Sequence, residues 1–549
     1  MKKIISLFFI VILLLAMANM AFAQHDFNPR QINFNVTADQ WREDLRYFAE
    51  DLPKRHKNAF HFMTREQFEN AVKELNTDIP NLTNEQVYVR FMKLIAMVGD
   101  GHTSIEEQSL LGLGVYPVRY EILQDGLFVQ SAAAEYGEIV GGKVVKIENT
   151  PIEKALEKIK EISWGDNRNE QSLKVETSFL FSCPKVLKGL NIADSDEKVA
   201  VTVEKDGQQK TLEIKYVKDI MSYMRDGKRT NAFDKSTNPI PLYLKNPNNN
   251  YWFEYVKESK ILYVQFNVTQ NKSDESVTAF FRKVFDFAEQ NPVEKFVMDV
   301  RLNTGGNNQL NKPIVIGLIK GKFNERGKLF VVIGRRTFSA AQNLVNEIEK
   351  YTNAIFVGEP TGSSPNLYGD PTIMTLPNSK MPFRVSSLWH QIDPNDRRLF
   401  TAPEIFTPLN SADFSNNIDP AFQAIQTFVP GSTFKDLTAE AANNGDISVF
   451  IKKYREFKLN PKNQFINTEV ETNALGYRLL QSKKINEAIE VFKLNTEAYP
   501  NSANAFDSLA EGYLLSGNRA EAIKNYEKAV TLNPNFASSV DALRRLKGN

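Results

Sequence analysis

Two residues of this chain stand where a nucleophilic hydrolase would place its reacting groups. His102 lies in Val98-Gly-Asp-Gly-His-Thr-Ser104, and Ser339 lies in Arg335-Arg-Thr-Phe-Ser-Ala-Ala-Gln342. Between them runs Asp299-Val-Arg-Leu-Asn-Thr-Gly-Gly306, which ends in a glycine pair. A serine hydroxyl becomes nucleophilic once a base takes its proton, and backbone N–H groups at a glycine turn or helix start can hold an oxyanion. Each piece alone has an ordinary explanation. Ser339 could simply cap a helix, His102 could be a solvated loop residue, and Gly305-Gly306 could be a tight turn. The combination in this order points to acyl transfer.

These residues need elements to position them. Trp41, Leu45, Phe48 and Leu52 recur at helical spacing, and Thr64-x-x-Gln67 and Thr83-x-x-Gln86 read as capping boxes of two further helices. The last of these carries Val87, Phe91, Leu94 and Ile95 and stops at Gly99, so His102 follows its C-terminus on a loop. The apolar run Leu329–Ile333 reads as a buried strand that delivers Ser339 to the start of a helix ending near Tyr351. Ile261–Phe266, Phe296–Val300 and Ile355–Val357 are further strands, with helices at Ser276–Gln290 and Leu310–Ile319, giving an α/β core over 221–430.

The 549 residues are too many for one hydrophobic core. Lys2 and Lys3, the apolar stretch Ile4 to Leu15 and Ala21-Phe-Ala23 read as a signal peptide over 1–23, cleaved before Gln24. An exported protein, periplasmic or secreted from a bacterium and without a stable membrane anchor, is therefore expected. Balanced charge, 67 basic against 66 acidic residues, gives no nucleic-acid footprint. The single cysteine, Cys183, excludes an intrachain disulfide and reads as a buried inert thiol. Five histidines without metal-ligand spacing imply neither a metal nor a cofactor.

Residues 24–114 form a helical N-terminal domain carrying His102, and 115–220 form a β-rich module. In that module Asp206-Gly207 turns a hairpin between Val199–Val203 and Thr211–Ile214. Gly141-Gly-Lys-Val-Val-Lys-Ile-Glu-Asn149 resembles a PDZ segment, with a plain β-rich spacer as the alternative. A linker is expected over 431–470. In 471–549, Asn486-Glu-Ala-Ile489 recurs as Ala520-Glu-Ala-Ile523 and Pro500 as Pro534, a spacing of 34 residues. This resembles the tetratricopeptide repeat and implies a protein partner.

Asp100-Gly-His-Thr-Ser104, Met298-Asp-Val-Arg-Leu-Asn-Thr-Gly-Gly306 and Thr337-Phe-Ser-Ala-Ala-Gln342 resemble the tail-specific, or C-terminal-processing, serine protease family, and Asn417-Ile-Asp-Pro-Ala-Phe422 resembles its closing helix. The resemblance implies a crotonase-like α/β catalytic core with a helical N-terminal part and a PDZ-like module, ahead of the all-α repeat tail. It implies a peptidase that cuts unstructured or C-terminal polypeptide segments. One branch of that family uses a lysine about 25 residues after the serine. Here Gly358-Glu-Pro-Thr-Gly-Ser-Ser-Pro365 has no lysine, and Lys350, about three turns along the serine's own helix, cannot fold back. The tricorn-like branch uses a histidine from the N-terminal part. That scheme makes Ser339 the nucleophile and His102 the base, with Ala340 and Gly305 or Gly306 lending N–H groups to the oxyanion. Asp396 is the nearest match to the orienting carboxylate, and Glu359 is the alternative. A non-catalytic binding or scaffold protein on the same fold is the competing reading, as with the retinoid carrier of the photoreceptor matrix.

Overall fold

The computed structural model describes residues 32–548 except 219–222, 224–228, 431–433 and 445, so the expected signal peptide lies outside the described residues. Among the described residues no helix is long and apolar enough to cross a membrane.

Helices α1 (Ala38–Arg55), α2 (Arg65–Asp78) and α3 (Asn84–Ala96) open the chain, each with a threonine capping box. Strand β1 (Ser104–Ile105) and α4 (Glu107–Gly112) follow, then β2 (Val118–Leu123), β3 (Gly126–Ala133), β4 (Lys143–Ile147), β5 (Thr150–Pro151) and α5 (Ile152–Ile162). Next come α6 (Glu170–Leu180), α7 (Pro184–Gly189), β6 (Lys198–Lys205), β7 (Gln208–Lys215) and β8 (Arg229–Asn231). The module's main sheet runs β2-β3-β4-β6-β7. The β6–β7 turn is made by Asp206 (φ 53°) and Gly207 (φ 73°), the left-handed pair a two-residue hairpin demands. β8 pairs with β3, so this sheet takes in residues beyond the expected boundary at 220.

The second layer system starts at α8 (Leu242–Lys245), β9 (Tyr251–Val256), β10 (Ile261–Phe266), α9 (Val277–Gln290), β11 (Lys295–Asp299), α10 (Lys312–Lys320), β12 (Leu329–Ile333), α11 (Ala340–Tyr351) and β13 (Ile355–Gly358). It continues through β14 (Leu367–Thr375), β15 (Pro382–His390), β16 (Ile405–Phe406), α12 (Ser411–Ser415) and α13 (Pro420–Gln426). Six strands make one sheet, β16-β13-β12-β11-β10-β9, parallel except for β9. Every residue of β10 and β12 is buried, as expected for strands with helices on both faces; the one amide among them, Gln265 of β10, is hydrogen-bonded to Tyr263 and Asn267.

The β14–β15 hairpin leaves this sheet and pairs with β1 instead. Its Met374, Phe383 and Val385 enter the same apolar core as α1, α3 and the module, with Phe48 and Phe383 rings 5.3 Å apart. Three stretches far apart in sequence are thereby fixed around the loop that carries His102.

The expected linker over 431–470 is instead largely helical, with α14 (Phe434–Asn444) and α15 (Ile447–Leu459). Phe434, Phe450 and Tyr454 share one core with Leu475, Leu479 and Phe492 of the repeats. Helices α16 (Glu469–Gln481), α17 (Ile485–Ala498), α18 (Ala503–Leu515), α19 (Arg519–Leu532) and α20 (Ala537–Lys547) complete the array, in which α16 to α19 restart every 34 residues. Two repeats alone could not close a core, and the amphipathic pair before them supplies the neighbour. Phe465 joins the array to the rest by packing on Phe400 and Phe406, with ring centroids 5.8 and 4.8 Å away.

Candidate active site

The loops after β11 and β12 leave the sheet at its C-terminal edge, where open parallel sheets place their ligand crevices. The β11 loop is tied down from below. Arg301 makes paired contacts to Asp419 at 2.9 Å each and reaches buried Asp299 through Nε, while Tyr263 donates to Asp299 at 2.7 Å. Asp419 also caps α13 by accepting from the Ala421 and Phe422 N–H groups. This buried network satisfies its charges internally, and losing one partner would strand the others at several kcal/mol.

Ser339 follows β12 and precedes α11 with φ 55° and ψ −124°, a backbone conformation that costs a non-glycine residue of order 1–3 kcal/mol. Its side chain makes no helix-capping bond. The hydroxyl instead meets His102 Nε2 at 2.9 Å. The strain is held by neighbours: Phe338 N–H donates to the Asn303 carbonyl at 3.1 Å, and Thr337 Oγ1 donates to the Val300 carbonyl at 2.9 Å.

His102 is set just beyond α3, which ends at Ala96, three residues before the expected stop at Gly99; Gly99, with φ 71°, turns the chain into the histidine loop. Asp100 organises the loop. Its Oδ1 accepts the His102 N–H at 2.9 Å, and its Oδ2 accepts from Thr103 Oγ1 at 2.6 Å and faces His56 Nε2 at 3.0 Å. Phe338 stacks on the imidazole with centroids 4.5 Å apart. The imidazole is 6 % exposed as a residue, and its Nδ1 is buried without a hydrogen-bond partner among the described residues. Burial pulls its pKa down to about 4, against the upward pull of the Asp100 charge. The neutral form therefore prevails at neutral pH, as a base requires.

Asp166, from the loop between α5 and α6, is the residue that sequence reasoning missed. It is buried, accepts from the Gly101 N–H at 2.8 Å and from Ser363 Oγ at 2.7 Å, and is pushed up to about 7 by burial and by the nearby Asp100 charge. One ring nitrogen of His102 and one carboxylate oxygen from each of Asp100 and Asp166 lie within 4.8 Å of one another. That spacing could suit a metal ion. Yet Asp100 and Asp166 each already bind protein donors through both carboxylate oxygens, which describes a scaffold for the histidine loop.

Asp396 does not reach the imidazole. Both of its carboxylate oxygens are held by Arg398 Nε at 3.1 Å, and Arg398 in turn grips Glu349. Glu359 is likewise taken up by Arg335 at 2.6 Å. Both carboxylates found an arginine close by, a preference that spacing from a serine cannot disclose.

Gly305 and Gly306 flank Ser339 differently. The Gly305 N–H is spent on Asn303 Oδ1 at 2.9 Å. Among the described residues, the N–H groups of Gly306 and Ala340 have no acceptor. Both glycines have positive φ, 105° and 137°. A Cβ on Gly306 would stand 2.3 Å from the Thr269 carbonyl oxygen, so a side chain there would force the backbone to shift.

All of this opens into a cleft of about 930 Å³ lined by His102, Ser339, Ala340, Gly305 and Gly306, with Ile105, Glu106, Asp370, Arg384 and His390 opposite. No lysine lines it. Lys380 bonds the Pro377 carbonyl and Lys350 lies over Tyr351, both away from the serine.

No protein-family model matches the chain, and no curated protein matches it either. Among solved structures, mature CPAF complexed with lactacystin is similar to it at TM-score 0.50 and 11 % identity, covering 74 % of this chain and 99 % of that one. A photosystem II D1 C-terminal processing protease aligns at TM-score 0.34 and 14 % identity, over 72 % of this chain and 100 % of that one. MamA aligns at TM-score 0.17 and 22 % identity, over 21 % of this chain and 61 % of that one. The first of these shows a shared fold.

Proposed function

We propose that this chain is an exported serine endopeptidase of the tail-specific type, hydrolysing peptide bonds in unstructured or C-terminal polypeptide segments. The observation that carries the reading is the 2.9 Å contact between His102 Nε2 and a Ser339 hydroxyl held in a strained backbone at the mouth of a large cleft. The absence of lysine from that cleft's lining among the described residues favours the Ser–His scheme over Ser–Lys.

In this mechanism Ser339 Oγ attacks the scissile carbonyl carbon while its proton passes to His102 Nε2. The developing oxyanion takes hydrogen bonds from the N–H groups of Ala340 and Gly306, and the first turn of α11 adds its partial positive charge. The imidazolium then gives the proton to the leaving amine, and water resolves the acyl-enzyme by the reverse sequence. With Nε2 accepting from serine, the proton of neutral His102 sits on Nδ1. Asp100 and Asp166 stand in place of Asp396 as the charges that stabilise the imidazolium. The helical repeats, which carry no comparable set of reactive side chains, serve a protein partner.

A fluorophosphonate probe tests the reading on the protein without its leader. Labelling that disappears in Ser339→Ala supports an activated serine. Absence of labelling in the folded wild type favours the binding-protein alternative.

A further inference from the structure

A second cavity of about 350 Å³ adjoins the cleft, and Val175, Glu176 and Arg336 line both. Its walls come from the segment around β2 and from α6, and three arginines line it: Arg119 in β2, Arg229 in β8 and Arg336, three residues before Ser339. Arg119 and Arg229 both gather at Ser131 of β3. Arg119 is its register partner in the sheet, and the Arg229 guanidinium donates to its hydroxyl. None of the three has an ion pair among the described residues, whereas Arg335 next door is paired with Glu359. Among the described residues, the carboxylate lining this cavity is Glu176.

Among the described residues, three guanidinium groups and one carboxylate line a pocket otherwise walled by Leu111, Tyr116 and Phe179, so basic groups outnumber acidic ones there. Such a surplus, in a partly apolar wall, is paid back by anions with bidentate geometry. Burial and then the charge of Arg336 lower the pKa of Arg119, with Arg229 adding to the effect and Glu121 opposing it.

We propose that this arginine pocket is a specificity subsite that binds acidic side chains, Asp or Glu, of the polypeptide whose scissile bond lies at Ser339. The surplus favours side chains over a chain terminus. Several guanidinium groups line the pocket, and two acidic side chains can engage more of them than a single α-carboxylate. Arg336 connects the pocket to the nucleophile loop, so a bound acidic segment would enter the cleft beside Ser339. The inference rests on the peptidase reading for its consequence, but the binding itself does not require catalysis.

The test uses Ser339→Ala protein and fluorescent peptides of equal length, read by anisotropy. One peptide carries two glutamates and an amidated end, one has neutral side chains and an amidated end, and one has neutral side chains and a free carboxyl end. The acidic amidated peptide should bind at least about tenfold more tightly than the neutral amidated one, and its affinity should fall with added salt. In Arg119→Gln/Arg229→Gln, on the Ser339→Ala background, that preference should vanish; Arg119→Lys/Arg229→Lys should keep part of it. If the double Gln variant does not fold, the wild-type peptide ranking and its salt dependence decide. Equal affinity for all three peptides overturns the proposal, and so does preference for the free carboxyl end. Probe labelling of unmodified Ser339 is scored separately. Labelling without acidic preference sinks the subsite alone, and acidic preference without labelling sinks the peptidase reading alone.

Discussion

Gly305 and Ser339 are in such close contact that a Cβ on the glycine would stand 2.6 Å from the serine Cβ. The same added atom would be 2.9 Å from the Ala340 nitrogen. Gly305 thus shapes the oxyanion region by what it lacks, its own N–H being engaged by Asn303. Gly305→Ala should cut kcat/KM by about a hundredfold or more, in line with displacing an oxyanion donor. Thermal unfolding should show a loss of about 1–3 kcal/mol from the left-handed backbone. Hydrolysis of a short peptide at unchanged rate by this variant would remove Gly305 from the site.

Removing either reacting group should be equally damaging. Ser339→Ala and His102→Ala should each lower kcat by several orders of magnitude, and the double variant should be no worse, because the pair works as a unit. Ser339→Gly should be inactive yet more stable than Ser339→Ala, since glycine alone tolerates φ 55° without strain. Equal melting temperatures for the two would argue against stored strain at this turn.

How much of this was legible in the sequence depends on what each residue does. His102 and Ser339 could be found because a loop after an amphipathic helix and a turn after an apolar strand are local signals. Asp166 could not. It is 64 residues from His102 and reaches the site through a fold in which α5, α6 and the β14–β15 hairpin converge. The hairpin is not legible in sequence, because Asp370, Pro371 and Arg384 break the apolar pattern where its strands line the cleft. The helices at 434–459 read as linker in the sequence, although Phe434, Phe450 and Tyr454 stand on their buried faces. Their apolar stripe means little until the repeats beside it are known to need a partner.

The carboxylates can be ranked. Asp100→Asn should lower kcat most, since both its oxygens organise the His102 loop. Asp166→Asn should cost about ten- to a hundredfold by removing a nearby charge. Asp396→Asn should leave kcat within about threefold, because it breaks only a local pair with Arg398 of the kind that contributes little. A large effect at Asp396 with Asp166 silent would restore the expectation drawn from the family resemblance.

The pH profile separates a buried imidazole from an exposed one. A reference histidine titrates near 6.5, whereas burial holds His102 at about 4. The free base is the active form, so kcat/KM should persist through pH 6 and fall only as pH approaches about 4. Asp166, raised to about 7, should add a shallower step near neutrality as it gains its proton. The stability signs differ. Between roughly 6.5 and about 4 the unfolded state binds the His102 proton and the folded state does not, so this group destabilises on acidification. Asp166 does the reverse, since the folded state takes up its proton first, between about 7 and its ordinary value near 3.8. A single acid limb near 6.5 would mean that the imidazole is solvated in the working enzyme.

The repeats share a core with α14 and α15, and this decides where the chain can be cut. Ending the protein after residue 465 would leave Phe434, Phe450 and Tyr454 without Leu475, Leu479 and Phe492, an exposed apolar face. That truncate should aggregate, whatever the role of the repeats in catalysis. Ending it after Pro430 removes the whole helical array and uncovers the Phe400 and Phe406 rings that Phe465 covers. Nothing of α14 to α20 lines the cleft. The shorter truncate, with Phe400→Ser/Phe406→Ser to keep it soluble, should label with the serine probe and cleave a short peptide within about threefold of the full chain, as independent and distant sites do. Its turnover of a folded protein substrate with one unstructured end should drop much further if the array recruits that substrate. Loss of short-peptide cleavage in a soluble, folded truncate would make the array part of the catalytic unit.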